Sequence, residues 1–260
     1  MKPPPILPVS VCMIAGNEAA RIGRALASVA GWAAEIIVVL NDDVDDGTDK
    51  ICAAAGAKVF REPWKGHITQ KNSAADKAAQ PWLLGLDADE EVPPALQAEI
   101  ARVVAEANDF AAFSFPRCTQ FCGRWIRHGD WYPDRQTRLW RRGQARWGGV
   151  DPHDKLMVQG RVGRLHSDLR HDNAETIDRQ IAKISSYSGD FLRDALAHGR
   201  DAGGFDLAIR PVWRFARSYF FRLGFLDGWQ GGYIAWMTAF YTATRYAKIR
   251  AAQAAKKAAG

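Results

Sequence analysis

Four acids fall within five residues, Asp87, Asp89, Glu90 and Glu91, directly behind the apolar run Trp82, Leu83, Leu84 and Leu86. A short apolar run after Pro81 reads as a buried strand. Pro93 and Pro94 then open a helix, because proline suits the first helical turn. The acids therefore sit in a loop at the carboxyl end of a strand, where open α/β sheets bind their ligands. Two aspartates one residue apart on a turn can face one small site. Hard carboxylate oxygens suit Mg²⁺ or Mn²⁺; Mg²⁺ usually takes one or two carboxylates together with substrate phosphates. Asp87-Ala88-Asp89 thus reads as a metal–diphosphate site. The competing reading is a solvated acidic terminus that complements the dipole of the next helix. On this motif alone the two weigh evenly.

The elements that must position this loop follow from the periodicity. Residues 8–14 predict a strand, 21–30 a helix and 35–40 a second buried strand. A second acidic loop, Asn41–Thr48, follows that strand. A helix then runs to Ala55 with Gly56 placed to cap it. Residues 58–60 predict a strand and 67–79 a helix carrying Gln70, Lys71 and Asn72. Beyond the acids, 94–107 predict a helix and 110–116 a strand. Such alternation argues for an α/β chain with a mostly parallel sheet covered on both faces. Neither GxGxxG nor GxxxxGK[ST] occurs, which weighs against a dinucleotide fold or a P-loop nucleotidase.

The character changes after Arg117. Residues 123–149 are dense in Trp, Arg and Gly, and 150–156 read VDPHDKL. Residues 173–197 predict an amphipathic helix with Ile177, Ile181, Ile184 and Tyr187 on one stripe. Residues 202–204 read as a hinge, and 210–250 are aromatic, apolar and basic. The final AAQAAKKAAG reads as a frayed tail.

At 260 residues the chain fits one large domain, or a domain with an appendage. The formal net charge of +6 favours anionic partners: nucleic acid, phosphate esters or an anionic membrane face. The opening MKPPPILPVS is too short and proline-rich for a signal-peptide core. The longest uncharged stretch of the aromatic segment, Gly228–Thr244, falls short of the ~20 apolar residues that span a bilayer. Cys118 and Cys122 lack the partners of a zinc pattern, so all four cysteines are expected as reduced thiols of a cytoplasmic protein.

In order along the chain, CMIAGNE (12–18), EIIVVLNDDVDDGT (35–48), KVFREPWKGHITQKN (58–72) and PWLLGLDADEE (81–91) resemble the family 2 glycosyltransferases of GT-A fold. FCGRWIRHGDWYPDRQTRLWRRG (121–143) and VDPHDKL resemble the branch that builds the bacterial lipopolysaccharide core, which adds a hexose, often glucose, to inner-core heptose. Each piece is weak alone; the ordered set is specific and reaches to about Lys248. The resemblance implies a GT-A catalytic domain over 1–165, with a nucleotide-sugar half (1–91) and an acceptor half (92–165). A C-terminal helical region, 166–260, follows; its aromatic and basic residues suit a helix lying on an anionic leaflet, and equally a helix pair packed on the catalytic domain or against a second subunit.

The resemblance also implies roles. Asn17 and Glu18 edge the nucleotide pocket, and the loop holding Asn41 and Asp43 takes the base. Lys71 stands near the diphosphate. Asp87 and Asp89 match the DXD pair, with Asp89 on the metal and Asp87 on ribose or metal. Arg135 and Arg138 serve diphosphate or acceptor. The acid after His153 matches the family's general base, which makes Asp154 the candidate and Asp151 the alternative. Two positions depart from the family pattern. Asn41 stands where it has aspartate, and still offers donor and acceptor to a base. His153-Asp154 stands where it has His-Glu, and aspartate is a shorter base of similar pKa.

Transfer of this kind needs charge neutralised on the leaving diphosphate, a carboxylate to take the acceptor's proton, and alignment for in-line attack. The expected protein is a Mg²⁺- or Mn²⁺-dependent inverting hexosyltransferase. It would move a hexose, glucose in the first instance, from a UDP-linked donor to a lipopolysaccharide-core or related lipid-linked glycan. It would work at the inner face of the cytoplasmic membrane, bind anionic lipid and no nucleic acid, and leave homo-oligomerisation open. Competing readings are a non-catalytic basic module for anionic surfaces or nucleic acid, and a sugar nucleotidyltransferase. The place after the first strand reads AGNEAARIG, which lacks the latter's basic, glycine-rich loop. Residue by residue, plainer roles compete. Asp151 could open a turn with Pro152, the arginines could form a solvated face, Trp125, Trp131 and Trp140 could be core, and His171 reads first as structural.

Overall fold

The computed structural model describes residues 5–151 and 153–258, without the side chains of His153, Asn173 and Ala174. Two compact units make up the chain. One is Met1–Arg117 with Asp134–His171; the other is Cys118–Pro133 with Asp172–Gly260. The first unit thus extends past residue 165 to His171, and residues 118–133 fall in the second unit.

In the first unit, strand β1 (Leu7–Ala15) presents Val9, Val11 and Met13 to one face and Ser10 and Cys12 to the other, all buried. Strand β2 (Ala33–Asn41) does the same with Ile36, Val38 and Leu40 against Ile37 and Val39. Each face has its own apolar cluster. Cover on both sides is why these runs read as continuous rather than alternating. Helices α1 (Ile22–Ala27) and α2 (Thr48–Ala54) add Ile22, Leu26 and Cys52 to the first cluster. Strand β3 (Lys58–Glu62) leads to α3 (His67–Asp76), which adds Ala74 to the second. Strand β4 (Trp82–Gly85) and the two-residue β5 (Glu90–Glu91) flank the acidic turn, and α4 (Pro94–Ala105) follows with Leu96, Ile100 and Val103 buried.

Strands β3, β2, β1 and β4 run parallel in that order. The sheet then continues through antiparallel neighbours. These are β6 (Phe110–Phe121) and β8 (Asp134–Arg141), with β7 (Arg124–Trp125) paired to the end of β6. Strands β9 (Ala145–Val150) and β10 (His153–Val158) form a separate antiparallel pair. Strand β11 (Arg161–Arg164) lies parallel to β6, and β12 (Leu169–Glu175) pairs with β5 through His171 and Glu90. The parallel order therefore covers β1 to β4, and the rest of the sheet is mixed.

The second unit holds α5 (Ile177–Ala197), α6 (Gly204–Ala216) and α7 (Gly228–Ala258). The helix expected from residue 173 starts at Ile177, because β12 claims the chain as far as Glu175. Thr176 caps it, its hydroxyl accepting from Arg179 N at 3.3 Å. Of the expected stripe only Ile184 is buried; Ile177, Ile181 and Tyr187 are exposed. The tail expected to fray is helical to Ala258. Asp227, in the turn before α7, accepts from the backbone N–H groups of Arg127 (2.9 Å) and His128 (2.7 Å). No described helix is long and apolar enough to cross a membrane. All four cysteines are free thiols.

Candidate active site

The chain leaves β4 at Gly85 and turns through Asp87–Glu90. Leu86 N donates to Cys12 O on β1 (3.1 Å), which holds the turn at the strand ends. The carboxylate of Glu90, wholly buried, accepts from Asp87 N at 3.0 Å and closes the turn on itself. Asp87 is thereby aimed at two cations. Its Oδ1 lies 3.1 Å from Lys71 Nζ, and its Oδ2 accepts from Arg138 Nη2 at 2.7 Å. Lys71, from α3, also donates to Asp154 Oδ2 at 3.0 Å. Burial by itself would raise the Asp87 pKa, but the charges of Arg138 and Lys71 outweigh it and hold the carboxyl well below the usual range. Arg138 responds in kind: burial lowers its pKa, while Asp87 and Glu90 more than offset that, so it stays charged.

Trp147 of β9 forms the floor beneath both cations. Lys71 Nζ stands 4.7 Å and Arg138 Cζ 5.1 Å from its ring. Asn72, next to Lys71 on α3, fixes the Trp147 backbone by accepting from its N (3.0 Å) and donating to its O (2.9 Å). Gly85 makes room, since a Cβ there would come 2.9 Å from the Trp147 ring. Asp89, on the other side of the turn, has its Oδ2 3.4 Å from His171 Nε2. Its pKa is also lowered; burial raises it, and the His171 contact and charge outweigh that.

Two cavities meet at this cluster and share Lys71, Asp87 and Asp154. One, of about 600 Å³, runs past Glu18, Asn41, Asp43, Trp64, Asp89 and His171. The other, of about 520 Å³, is lined by Arg117, Arg135, Arg138 and Trp147. Most of the residues singled out in the sequence therefore come together. Asn17 does not line either cavity; its amide donates to Asp45 (3.1 Å) and accepts from Asp45 N (3.2 Å), joining the first and second loops. Asp46 and Thr48 complete that clasp through Ala19 N and Glu18 N. Arg135 lines the second cavity but gives one nitrogen to the carbonyls of Ser114 and Leu165. The two candidate bases separate: Asp154 faces both cavities, whereas exposed Asp151 caps α3 by accepting from Ile68 N at 3.0 Å.

Sequence reasoning missed Trp64, His67, Arg117 and Trp147 as parts of the site; Glu90 was named in the acidic run but given no role. Trp64 packs edge-on against His67 (centroids 4.8 Å apart) in the wall beside Asn41 and Asp43. Arg117 reaches Glu90 at 3.4 Å and Asp134 at 2.7 Å. Only Trp64 carried a signal, an aromatic residue directly after a strand and a proline. The others depend on register.

A divalent ion would find a partial set of ligands. Among the described residues no three His, Cys, Asp or Glu side chains gather into a metal cage. Both oxygens of Asp87 are held by cations, which leaves Asp89 as the carboxylate of this pair turned to the cavity, beside His171. One carboxylate plus donor phosphates is how Mg²⁺ is commonly held, so the residues fit an ion that arrives with its substrate.

This architecture is the GT-A arrangement of glycosyltransferases, an α/β sheet with an acidic turn at its carboxyl edge. Residues 10–159 match the family described as Glycosyl transferase family 2. The chain belongs to that family and is a glycosyltransferase. It is 30% identical over 257 residues to an uncharacterized glycosyltransferase of Rickettsia felis, covering 93% of this chain and 89% of the other. It is 28% identical to the lipopolysaccharide core biosynthesis glycosyltransferase LpsC of Rhizobium meliloti, covering 94% of each. Residues 1–349 of S. aureus TarS, crystallised with UDP-GlcNAc, share the fold with a TM-score of 0.50 at 14% identity, covering 89% of this chain and 79% of that one.

Proposed function

We propose that this glycosyltransferase moves a hexose, glucose in the first instance, from a UDP-linked donor to a lipid-linked glycan of the lipopolysaccharide-core type, with inversion. The observation that carries the reading is Lys71 shared between Asp87 and Asp154 where two cavities meet. One cavity, with Asn41, Asp43 and Trp64, suits a nucleoside; the other suits an incoming hydroxyl. Likeness to LpsC over nearly the whole length supports the acceptor class.

In the reaction the acceptor oxygen attacks the anomeric carbon as the bond to the diphosphate breaks. Asp154 takes the hydroxyl proton, and the nucleoside diphosphate leaves with its charge. Lys71 and Arg138 face that charge. Arg138 keeps Nε and Nη1 buried and without a hydrogen-bond partner among the described residues, donors to spare for phosphate oxygens. Lys71 neutralises Asp154 until a diphosphate competes for it, so donor binding frees the base. Mg²⁺ or Mn²⁺ held by Asp89, with Asp87 and His171 at hand, would add Lewis-acid stabilisation of the leaving group.

Peripheral attachment to the inner face of the cytoplasmic membrane completes the reading. Phe205, Ile209, Val212 and Trp213 form one stripe of α6, each at least half exposed. Arg210, Arg214, Arg217, Arg222, Arg245, Lys248 and Arg250 accompany this segment against the single acid Asp227 between residues 210 and 250. Apolar rings with flanking cations suit the surface of an anionic leaflet. The experiment for the chemistry is a donor screen with Mg²⁺ or Mn²⁺, reading nucleoside diphosphate release. Release from UDP-glucose that rises with a lipid-linked glycan supports the reading; release from no nucleotide sugar removes it.

A further inference from the structure

The second unit contains a cavity of its own, of about 260 Å³, that the transfer chemistry does not use. One wall is aromatic: Trp131, Tyr187 and Tyr233, with Phe121 stacked on Tyr233 at 5.9 Å between centroids and 16° between planes. The other wall is polar and built from Asp130, Lys183 and Arg214.

The charges of that wall do not cancel. Lys183 is matched by the buried Glu175, 2.6 Å away. Asp130 must serve three guanidiniums at once: Arg217 at 2.7 Å, Arg214 at 3.2 Å and Arg222 at 3.6 Å. Its side chain is only 8% exposed, and its buried Oδ2 accepts no hydrogen bond from any described residue. One carboxylate under three cations leaves two positive charges in excess, and like charges so close repel. An anion on Arg214, the guanidinium that lines the cavity, would relieve that repulsion through charge-assisted hydrogen bonds.

The apolar wall narrows the ligand further. The volume lies below the ~300 Å³ at which drug-sized pockets begin, enough for one small ring and a charged substituent. A hydrocarbon chain would leave Asp130, Arg214 and Lys183 facing apolar atoms, at the cost of their solvation. A pyranose instead offers a C–H face to the rings and hydroxyls to Lys183 and the tyrosine O–H groups. We propose that this cavity binds a phosphorylated sugar, with the phosphate on Arg214 and the ring against Trp131 and Tyr187. That this sugar belongs to the glycan acceptor rests on the transfer reading; the site itself does not.

The test is calorimetry on the full chain with glucose 6-phosphate, glucose and inorganic phosphate as separate probes, with and without saturating UDP. Short-chain phosphatidic acid, below its micellar concentration, represents a lipid phosphate. Glucose 6-phosphate should bind more tightly than the other three, and saturating UDP should leave its affinity unchanged. Arg214→Gln and Tyr187→Ala, both at partly exposed positions, should each weaken it about ten-fold or more while UDP still binds and the circular dichroism is unaltered. The proposal is overturned if glucose or phosphate alone binds as well. It is also overturned if phosphatidic acid binds better, if UDP displaces the sugar phosphate, or if both variants bind like wild type. Binding of glucose 6-phosphate as expected by a chain that binds no UDP would remove the transfer reading and leave this site standing.

Discussion

Asp154 and Asp151 stand three positions apart in different surroundings. Asp154 sits against Lys71 at the junction of two cavities, and Asp151 caps the N-terminus of α3. Asp154→Asn keeps the shape and removes the proton acceptor, so turnover should fall by ~10²–10⁴ while UDP affinity stays near wild type. Asp151→Asn can still accept from Ile68 N, and turnover should stay within a few-fold of wild type. The reverse pattern in steady-state rates would transfer the role of base to Asp151. Asp89→Ala should remove the dependence of UDP binding on added Mg²⁺ without unfolding the chain, since Asp89 makes its ion pair with His171 rather than with the core. Unchanged Mg²⁺ dependence in calorimetry would refute a ligand role for Asp89.

At the scale of elements, one carboxylate ties three strands and a helix end together. Glu35 of β2 accepts from Ser10 Oγ of β1 at 2.5 Å, from Lys58 Nζ of β3 at 2.9 Å and from Ala79 N beyond α3 at 2.6 Å. Burial pushes its pKa up, but the Ser10, Lys58 and Ala79 bonds outweigh that and bring it from 4.5 to about 2. A carboxyl with a depressed folded pKa contributes stability that is fully present above the unfolded value. That contribution is lost as pH falls through the folded one. Acid unfolding should therefore draw on Glu35 between about pH 4.5 and pH 2. Glu35→Gln should lower stability at pH 7 by about 2–3 kcal/mol and flatten that window; denaturant titrations of both forms at several pH values would reveal it. Gly85 acts between elements in another way. A methyl group there meets Trp147, so Gly85→Ala should tilt the ring under Lys71 and Arg138. Donor affinity would then weaken more than thermal stability, and a loss confined to melting temperature would argue against the floor.

For the molecule as a whole, the positive balance resides largely in the segment that exposes its aromatic residues. The protein should float with anionic vesicles, less with neutral ones, and less in high salt. Val212 and Trp213 are 67% and 53% exposed, so changing both to serine should spare the fold and reduce flotation. Flotation equal to wild type would exclude this face as the attachment. A dimer in sedimentation that the two serines dissociate would assign the face to a second copy of the chain instead.

The sequence by itself determined the parallel part of the sheet. Continuous apolar runs such as Glu35–Leu40 specify strands buried on both faces, and loops at their ends are local features. The acidic turn was legible for the same reason, since Asp87 and Asp89 need only each other and the strand before them. The family followed from the order of such pieces. Tertiary structure decided what depends on register and distance. It separated Asp154 from Asp151, brought His171 beside Asp89 through the pairing of β12 with β5, and slid Trp147 under Lys71. It also left the stripe of α5 largely uncovered. A periodic pattern marks which face of a helix is apolar; what lies against that face is a property of the packed chain.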